Sequence, residues 1–174
     1  PIMFVDFYPK EEEIKQKKSF IGIEGQLLKK YLQTVGIEDY YCTYLVKCFP
    51  GVGKVPGTVD FNVCGEYLVD EIKKVCPKVI VLLGGGVLSF FGIDSKITTA
   101  RGIPIWYEKF NCYLLPTFSP TYLNNFTDLS SQKREFVEDL NKALKISKEG
   151  MQQKIETHYK YASTISEVEW MTNQ

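Results

Sequence analysis

Residues 78–91 read Lys-Val-Ile-Val-Leu-Leu-Gly-Gly-Gly-Val-Leu-Ser-Phe-Phe, and no other segment indicates the fold as strongly. An uninterrupted Val/Ile/Leu run is typical of a strand that is buried on both faces of a parallel sheet. Gly84, Gly85 and Gly86 then predict a sharp turn into a short helix that ends near Phe91. The segment therefore predicts an α/β domain.

Strands and helices alternate on both sides of this run. Strands are predicted at 2–6, 40–47 and 112–115, and helices at 24–34, 63–75 and about 130–148. Alternation of this kind predicts a three-layer α/β/α domain around a central, mostly parallel sheet of four strands. We expect one domain over residues 1–150, followed by a tail or linker over residues 151–174.

The three glycines also invite comparison with a phosphate-binding loop, because glycine-rich turns at helix starts bind phosphate. No Lys-Ser or Lys-Thr pair follows Gly86, and no complete Gly-x-Gly-x-x-Gly pattern is present. We therefore interpret the glycines as a steric requirement of a buried strand that turns directly into a packed helix.

Composition limits the classes of function. The chain has 21 basic and 21 acidic residues, so any contact with nucleic acid must come from a local patch of charge. Five cysteines, with no recognisable signal peptide, predict a reducing compartment, and we expect the cytoplasm, or the cytoplasm of a bacterial host for a phage protein. No apolar run approaches the length of a transmembrane helix, so no membrane partner is predicted.

Several short motifs occur in order along the first 125 residues. They are Ser-Phe-Ile-Gly-Ile-Glu-Gly-Gln-Leu-Leu at 19–28, Lys-Cys-Phe-Pro at 47–50, Cys-Gly-Glu-Tyr-Leu at 64–68, Ile-Thr-Thr-Ala-Arg-Gly at 97–102 and Pro-Thr-Phe-Ser-Pro-Thr-Tyr-Leu at 116–123. Together with the strand at 78–83, they resemble the iron-sulfur branch of the uracil-DNA glycosylase superfamily. The resemblance implies that family's fold, and it implies DNA as a partner.

The same resemblance assigns roles to four pocket positions and shows that three of them are changed. Phe20 holds the position of the aromatic residue that stacks on a flipped base. Phe7 stands where the family has a catalytic glutamate, Tyr44 where it has the asparagine that reads the uracil edge, and Ser119 where it has a histidine. Base release needs groups that stabilise developing charge and recognise uracil. We therefore expect a glycosylase fold with a degenerate active site.

Two of the three changes also have an alternative interpretation. Asp6 precedes the expected acid by one position, so a small shift of the loop would bring its carboxylate to the site. Ser119 retains a hydroxyl that can donate a weaker, neutral hydrogen bond. His158, the single histidine of the chain, lies in the tail and is more simply a solvated or capping residue.

A metal site is the second implication of the resemblance. In that family Cys48 and Cys64 correspond to two of the four thiolates that hold a 4Fe-4S cluster, and the other two normally lie near the amino terminus. We expect the cluster only if two further cysteines precede Pro1, and otherwise no cofactor. Cys42, Cys76 and Cys112 are interpreted as small, buried apolar residues.

Contacts with DNA are predicted around the mouth of the cleft. The candidates are Lys15, Lys17, Lys18, Lys54, Phe20, Pro120, Tyr122, Leu123 and Asn124. The segment from Tyr122 to Asn125 corresponds to the one that family members insert into the duplex. For the lysine run alone, an ordinary solvated surface is the better interpretation.

The tail gives the last indication. Residues 158–170 resemble the segment that leads into the exonuclease domain of polymerase-A-type DNA polymerases, to which some large bacteriophages fuse a glycosylase-like domain. We therefore expect a DNA-binding or docking module of the replication machinery, with replication proteins or a covalently fused DNA polymerase as partners. The alternatives are an active DNA glycosylase that removes uracil or another modified base in repair, and a protein scaffold that no longer binds DNA.

Overall fold

The structure is a computed structural model that describes residues 1–150. The predicted tail, including His158, lies outside the described residues. Strands β1 to β5 span Ile2–Asp6, Tyr40–Tyr44, Val79–Leu83, Ile105–Tyr107 and Cys112–Thr117. Helices α1 to α6 span Glu11–Gln16, Ile23–Val35, Thr58–Val75, Ile97–Ala100, Pro120–Leu123 and Ser131–Glu149. Within residues 1–150, no helix is both long and apolar enough to cross a membrane.

The sheet has the strand order β2-β1-β3-β5-β4, with β4 antiparallel and the other pairs parallel. Strand β3 is buried along its whole length, as its unbroken apolar run predicts. Successive side chains of a strand point to opposite faces, so Val79 and Val81 face one layer while Ile80 and Leu82 face the other.

The two faces of the sheet have separate cores. Helices α2 and α6 cover one face, where Leu28, Phe136 and Leu140 are almost completely buried. Helix α3 and two short 3-10 turns at Gly85–Val87 and Ser89–Phe91 cover the other face, where Leu68 and Ile72 of α3 are almost completely buried. The predicted three-layer α/β/α architecture is confirmed.

The sheet has five strands rather than the predicted four. Strand β4 has only three residues and pairs with β5 through a tight connection in which Asn111 adopts a left-handed conformation, with φ of 52°. Helix α1 was also missed: its three consecutive glutamates occupy the first helical turn, where acidic residues favour a helix. The predicted helix after Gly86 is replaced by the two 3-10 turns.

The strand order creates a crevice between β1 and β3. The chain passes from β1 to its neighbour β2 on one side and then crosses to β3 on the other side, so the order reverses at β1. In open α/β sheets, ligands bind beyond the carboxyl ends of the strands at this point. The topology therefore places a binding crevice where Asp6 ends β1 and Leu83 ends β3.

Candidate functional site

A cavity of about 190 Å³ lies at this crevice. Its walls come from the loops after β1, β3 and β5, from α1 and the start of α2, and from the end of β2. They include Asp6, Phe7, Tyr8, Lys10, Glu13, Phe20, Glu24, Gly25, Tyr44, Leu83, Gly84, Gly85, Gly86, Ser119 and Thr121. The structure thus brings together all four pocket positions predicted from the resemblance and the alternative acid Asp6.

Phe20 and Tyr44 form a stacked aromatic pair in the wall of the cavity. Their ring centroids are 4.7 Å apart and their planes differ by 5°. Phe20 has a left-handed backbone with φ of 56°, which is unusual for a residue with a side chain. Gly25 permits this backbone to approach α2, because a Cβ at Gly25 would overlap the Phe20 carbonyl group. Phe20 is therefore fixed in position by the fold.

Glu13 holds the edge of the Tyr44 ring. The Tyr44 hydroxyl donates to Glu13 Oε1 at 2.7 Å and accepts the backbone N–H of Phe20 at 3.2 Å. Glu13 is only 6% exposed, and its oxygens also accept the backbone N–H groups of Ile21 and Lys10. Burial, together with the bond to the Glu13 carboxylate and its charge, raises the pKa of Tyr44 far above its usual value. The phenol therefore remains a protonated donor.

Phe7 fills the position predicted for a catalytic acid. Its ring contacts Tyr8 at a centroid distance of 5.2 Å and Phe61 at 5.6 Å. A Cβ on Gly86 would overlap the Phe7 ring, which is the steric reason for a glycine at that position. This contact supports the interpretation of the glycine run as a packing requirement.

Asp6 is the carboxylate at the end of β1. Its Oδ1 accepts the backbone N–H of Phe7 at 2.7 Å, and its pKa is raised to about 7, mainly by burial. The bond from Phe7 and the charge of Lys10 oppose this rise, whereas Glu13 and Glu24 add to it. Near neutral pH Asp6 is therefore partly protonated and partly ionised, which is the range in which a carboxyl can exchange protons with a ligand.

The loop after β5 forms the other lip of the cavity. Ser119 caps α5, and its Oγ accepts the backbone N–H of Tyr122 at 3.2 Å. Tyr122 and Asn124 are exposed, and their contact with DNA stays a prediction. Pro120 is buried at the first turn of α5, and Leu123 is completely buried. Leu123 belongs to the buried core cluster on this face of the sheet, so for it and for Pro120 a contact with DNA stays a prediction that their burial does not support.

A buried ion-pair network holds this loop in place. Asp139, which is fully buried, accepts a hydrogen bond from Thr117 Oγ1 at 2.7 Å and pairs with Arg101 at 3.0 Å. The Arg101 guanidinium also lies over the Phe118 ring, 5.4 Å from its centroid. Two of the sequence motifs, at 97–102 and 116–123, are thus connected through α6.

The predicted lysines differ in their surroundings. Lys15, Lys17, Lys18 and Lys54 are all exposed. Lys15 forms an ion pair with Glu11 at 2.7 Å, so its charge is partly compensated, and Lys17 ends α1 in a left-handed conformation. The role of all four in DNA binding stays a prediction.

The cysteines have different environments. Cys48 is exposed and Cys64 is buried. Burial raises the pKa of Cys42 to about 12 and that of Cys112 to about 11, so both are protonated thiols at neutral pH. Cys76 is exposed at the end of α3, which corrects its predicted burial.

Among the described residues no three His, Cys, Asp or Glu side chains form a metal site, so a four-thiolate set is not completed there.

Sequence reasoning missed Glu13, Lys10 and Glu24 as residues of the cavity. Glu13 had a usable signal, since the third residue of a helix that begins with glutamates often bonds back to the backbone before the helix. The contact between Glu13 and Tyr44 had no signal in the sequence. Glu13 lies in α1, which follows β1, and Tyr44 ends β2, so the two meet only because β1 pairs with β2.

Comparisons with known proteins agree with this geometry. A family model described as "Uracil DNA glycosylase superfamily" matches residues 1–145. The Type-4 uracil-DNA glycosylase of Thermotoga maritima is 41% identical over 157 residues, which cover 86% of this chain and 79% of that protein. That of Archaeoglobus fulgidus is 36% identical over 102 residues, covering 56% of this chain and 51% of that protein.

A relative of a different kind is also similar. The DNA polymerase of Bacillus phage SP01 is 33% identical over 104 residues, which cover 58% of this chain but only 11% of the polymerase. The resemblance predicted from the sequence motifs is therefore confirmed at the level of the family. Fold, crevice and relatives together identify this chain as a member of the uracil-DNA glycosylase superfamily.

Proposed function

We propose that this chain binds DNA at the mouth of the cavity and serves as a DNA-binding or docking module of replication machinery, with its base-release chemistry degenerate. The observation on which the proposal depends is the ring of Phe7. It occupies the position where the family resemblance predicts a catalytic acid, and it packs against Tyr8, Phe61 and Gly86. A phenyl ring offers neither a proton acceptor nor a negative charge to the reacting sugar.

Contacts with DNA do not depend on that chemistry. Phosphate contacts come from lysines, hydroxyls and backbone amides, and they give affinity without reading sequence. Lys17, Lys18 and Lys54 are exposed, and Ser119 lines the cavity, with the exposed Tyr122 and Asn124 following it in the chain. With a net charge of zero, only a few such contacts are available. We therefore expect weak binding with a clear dependence on salt.

The proposed partner is a DNA polymerase, joined covalently or associated. The support is the similarity to the polymerase of Bacillus phage SP01, together with the lead-in resemblance of residues 158–170. The proposed compartment is the cytoplasm, that of the bacterial host for a phage protein. A module of this kind would hold the polymerase near its template by raising the local concentration.

The test is fluorescence anisotropy with a labelled duplex over a series of salt concentrations. Changing Lys15, Lys17 and Lys18 together to Ala should reduce the magnitude of the slope of log K against log salt by about 2 to 3, with Lys15 contributing least. The matched control changes Lys73, Lys74 and Lys78 to Ala, which removes the same charge at the amino-terminal edge of the sheet, away from the cavity. Equal losses in both variants, or no binding by the folded protein at low salt, would refute the proposal.

An active DNA glycosylase is the second candidate, and the names of the Thermotoga maritima and Archaeoglobus fulgidus relatives favour it over the first. One structural observation also favours it: Asp6 lines the cavity, and its pKa of about 7 makes part of it ionised at neutral pH. In this candidate Asp6 replaces the acid missing at Phe7. Release of uracil from an oligonucleotide, lost on Asp6→Asn, would establish this second function in place of the first.

A further inference from the structure

Two lysines from different helices converge on one aspartate near the end of the loop after β5. Lys30 Nζ, in α2, donates to Asp128 Oδ2 at 3.1 Å. Lys133 Nζ, in α6, donates to Asp128 Oδ1 at 2.8 Å. Each oxygen of the carboxylate therefore has an ammonium group of its own, and the two cations exceed the single anion by one positive charge.

The burial of Lys133 is the unusual part of this cluster. Its side chain is only 8% exposed, and lysines are rarely buried to this extent unless they are paired. Its anionic partner, Asp128, is 64% exposed. Lys133 also lies in the first turn of α6, a helix of 19 residues whose dipole adds positive potential at that end. A fixed, buried cation thus faces a surface position that an external anion can reach.

The cluster lies on the same edge of the sheet as the cavity. Helix α2 begins at the cavity, where Glu24 lines the wall, and Lys30 is about 9 Å farther along the helix axis. Helix α6 ends at the opposite edge, because Leu144 and the first strand residue Ile2 line one hollow there. With a length of about 28 Å, α6 begins near the carboxyl ends of the strands.

The loop after β5 connects the cavity to the cluster. Ser119 lines the cavity at the start of this loop, and Asp128 lies nine residues later. Between them the rings of Tyr122 and Phe126 are 4.9 Å apart, and the Phe126 N–H donates to the Leu123 carbonyl at 3.1 Å. Successive nucleotides of a B-DNA strand rise by about 3.4 Å, so about three of them span the distance from Glu24 to Lys30.

We propose that Lys30 and Lys133 form a second site for a phosphate of the DNA backbone, beside the cavity, and that the Asp128 carboxylate occupies this site when no DNA is bound. A carboxylate and a phosphate both offer two oxygens to a pair of ammonium groups. DNA must therefore displace Asp128 from the lysines, and Asp128 weakens DNA binding by competition. This inference rests on the proposed function for DNA as the ligand.

The competing interpretation makes Asp128 a simple tie between the loop and the two helices. The two interpretations predict opposite effects when the negative charge is removed. A competitor that is removed leaves the lysines free for phosphate, so DNA binding becomes tighter. A tie that is removed loosens the loop, so DNA binding is unchanged or weaker. The hydrogen bonds from Lys133 and Lys30 hold the pKa of Asp128 below its usual value, so the substitution removes a full negative charge at neutral pH.

The experiment measures fluorescence anisotropy of a labelled single-stranded oligodeoxythymidine, and of a labelled duplex, with the full chain over a salt series. Asp128→Asn should bind about three- to tenfold more tightly at low salt, with the slope of log K against log salt steeper by about 1. Adding Lys30→Ala to this variant should remove most of the gain. Lys30 is the lysine to change, because it is exposed and its loss leaves no buried gap.

Two matched controls accompany these variants. Glu138→Gln removes the same charge from an exposed position of α6. Lys29→Ala, in the Asp128→Asn background, removes an exposed neighbour of Lys30 whose charge acts on Cys42 of β2 instead. Each control should change the affinity by less than about twofold, as expected of isolated surface charges.

NMR shows whether the phosphate reaches the site in wild type. Oligodeoxythymidine should shift the backbone amides of Leu129, Ser130 and Lys133 saturably. Inorganic phosphate and polyglutamate, at the same concentration of anionic groups, should shift them much less, because neither follows the loop from the cavity. Equal shifts with inorganic phosphate would indicate a site for small anions, and equal shifts with polyglutamate would indicate an acidic protein partner. Either result would overturn the inference.

The binding data can also overturn it, separately from the proposed function. The inference fails if Asp128→Asn binds DNA no more tightly than wild type, if Glu138→Gln gives the same gain, or if the gain survives Lys30→Ala. In each case the proposed function stands as long as wild type binds DNA through Lys17 and Lys18. If neither wild type nor Asp128→Asn binds DNA at low salt, the proposed function fails together with the inference.

Discussion

Replacing Asp6 by asparagine should stabilise the domain at alkaline pH and change its stability little at acid pH. Asparagine has the same shape and can still accept the backbone N–H of Phe7 at the position of Oδ1. What it removes is the ionisation of a carboxyl whose pKa rises from 3.8 to about 7 on folding, mainly because of burial. The native carboxyl therefore resists losing its proton.

The sign of the effect follows from linkage between protonation and folding. Because the folded-state pKa is the higher one, the native state binds more protons than the unfolded state between these two values. The stability associated with Asp6 is fully present below about pH 4, declines as the pH rises, and is lost above about pH 7. At alkaline pH wild type carries the full penalty of a charged group in a poorly hydrated position.

The magnitude comes from the same two pKa values. At about 1.4 kcal/mol for each unit of pKa, the full shift corresponds to about 4 kcal/mol. Asp6 lines an open cavity and keeps partial contact with solvent, which screens its charge, so we expect about 2 kcal/mol. Asp6→Asn should be more stable than wild type by that amount at about pH 8.5, and by less than about 0.5 kcal/mol at about pH 4.

The assay is urea unfolding of both proteins at several pH values, with the difference in free energy of unfolding plotted against pH. The difference isolates Asp6, because every other titrating group is common to both proteins. A difference that is the same at both ends of the range, or that has the opposite slope, would refute the description of Asp6 as a buried carboxyl with a raised pKa.

Three further predictions concern other parts of the site. Tyr44→Phe keeps the stacked ring but leaves the Glu13 carboxylate without its phenol donor. It should lower the free energy of unfolding by about 1 to 3 kcal/mol in urea titrations. An unchanged free energy would show that water replaces the phenol. Asp139→Ala leaves Arg101 and Thr117 without their buried partner and should lower the free energy of unfolding by about 3 to 5 kcal/mol. The control Glu138→Ala, at an exposed neighbouring residue, should change it by less than about 0.5 kcal/mol. Similar losses in the two variants would contradict the network. If further cysteines precede Pro1, the variants Cys48→Ser and Cys64→Ser of the longer protein should lose iron and visible absorbance. Cys112→Ser is the control and should retain the iron and the absorbance. Iron retained by the Cys48 and Cys64 variants would show that the ligands are misassigned.

The parts of the fold that the sequence predicted well are those with strong periodicity. Residues 78–83 are apolar at nearly every position, and β3 was placed to within one residue. Helix α6 repeats apolar residues at helical spacing between a serine cap and Gly150, so its bounds were also predicted closely. Strand β4 was missed because three residues are too few to show a period, and its conformation is imposed by pairing with β5.

The site was predicted only in part for a similar physical reason. Motif resemblance placed Phe7, Phe20, Tyr44 and Ser119 in one pocket, and all four line the same cavity. It could not predict that Tyr44 stacks on Phe20 or that Glu13 holds its hydroxyl, because those contacts depend on side-chain directions across separate elements. Burial of Leu123 was missed because four residues of α5 are too few to show which face points inward.

The most direct test of a degenerate active site is a time course of uracil release from single-stranded and double-stranded oligonucleotides by the purified wild-type protein. With Phe7 in place of the acid and Tyr44 across the face of Phe20, release should not exceed the background without protein. Uracil release well above that background, abolished by Asp6→Asn in a folded protein, would contradict the account and identify Asp6 as the acid of an active glycosylase.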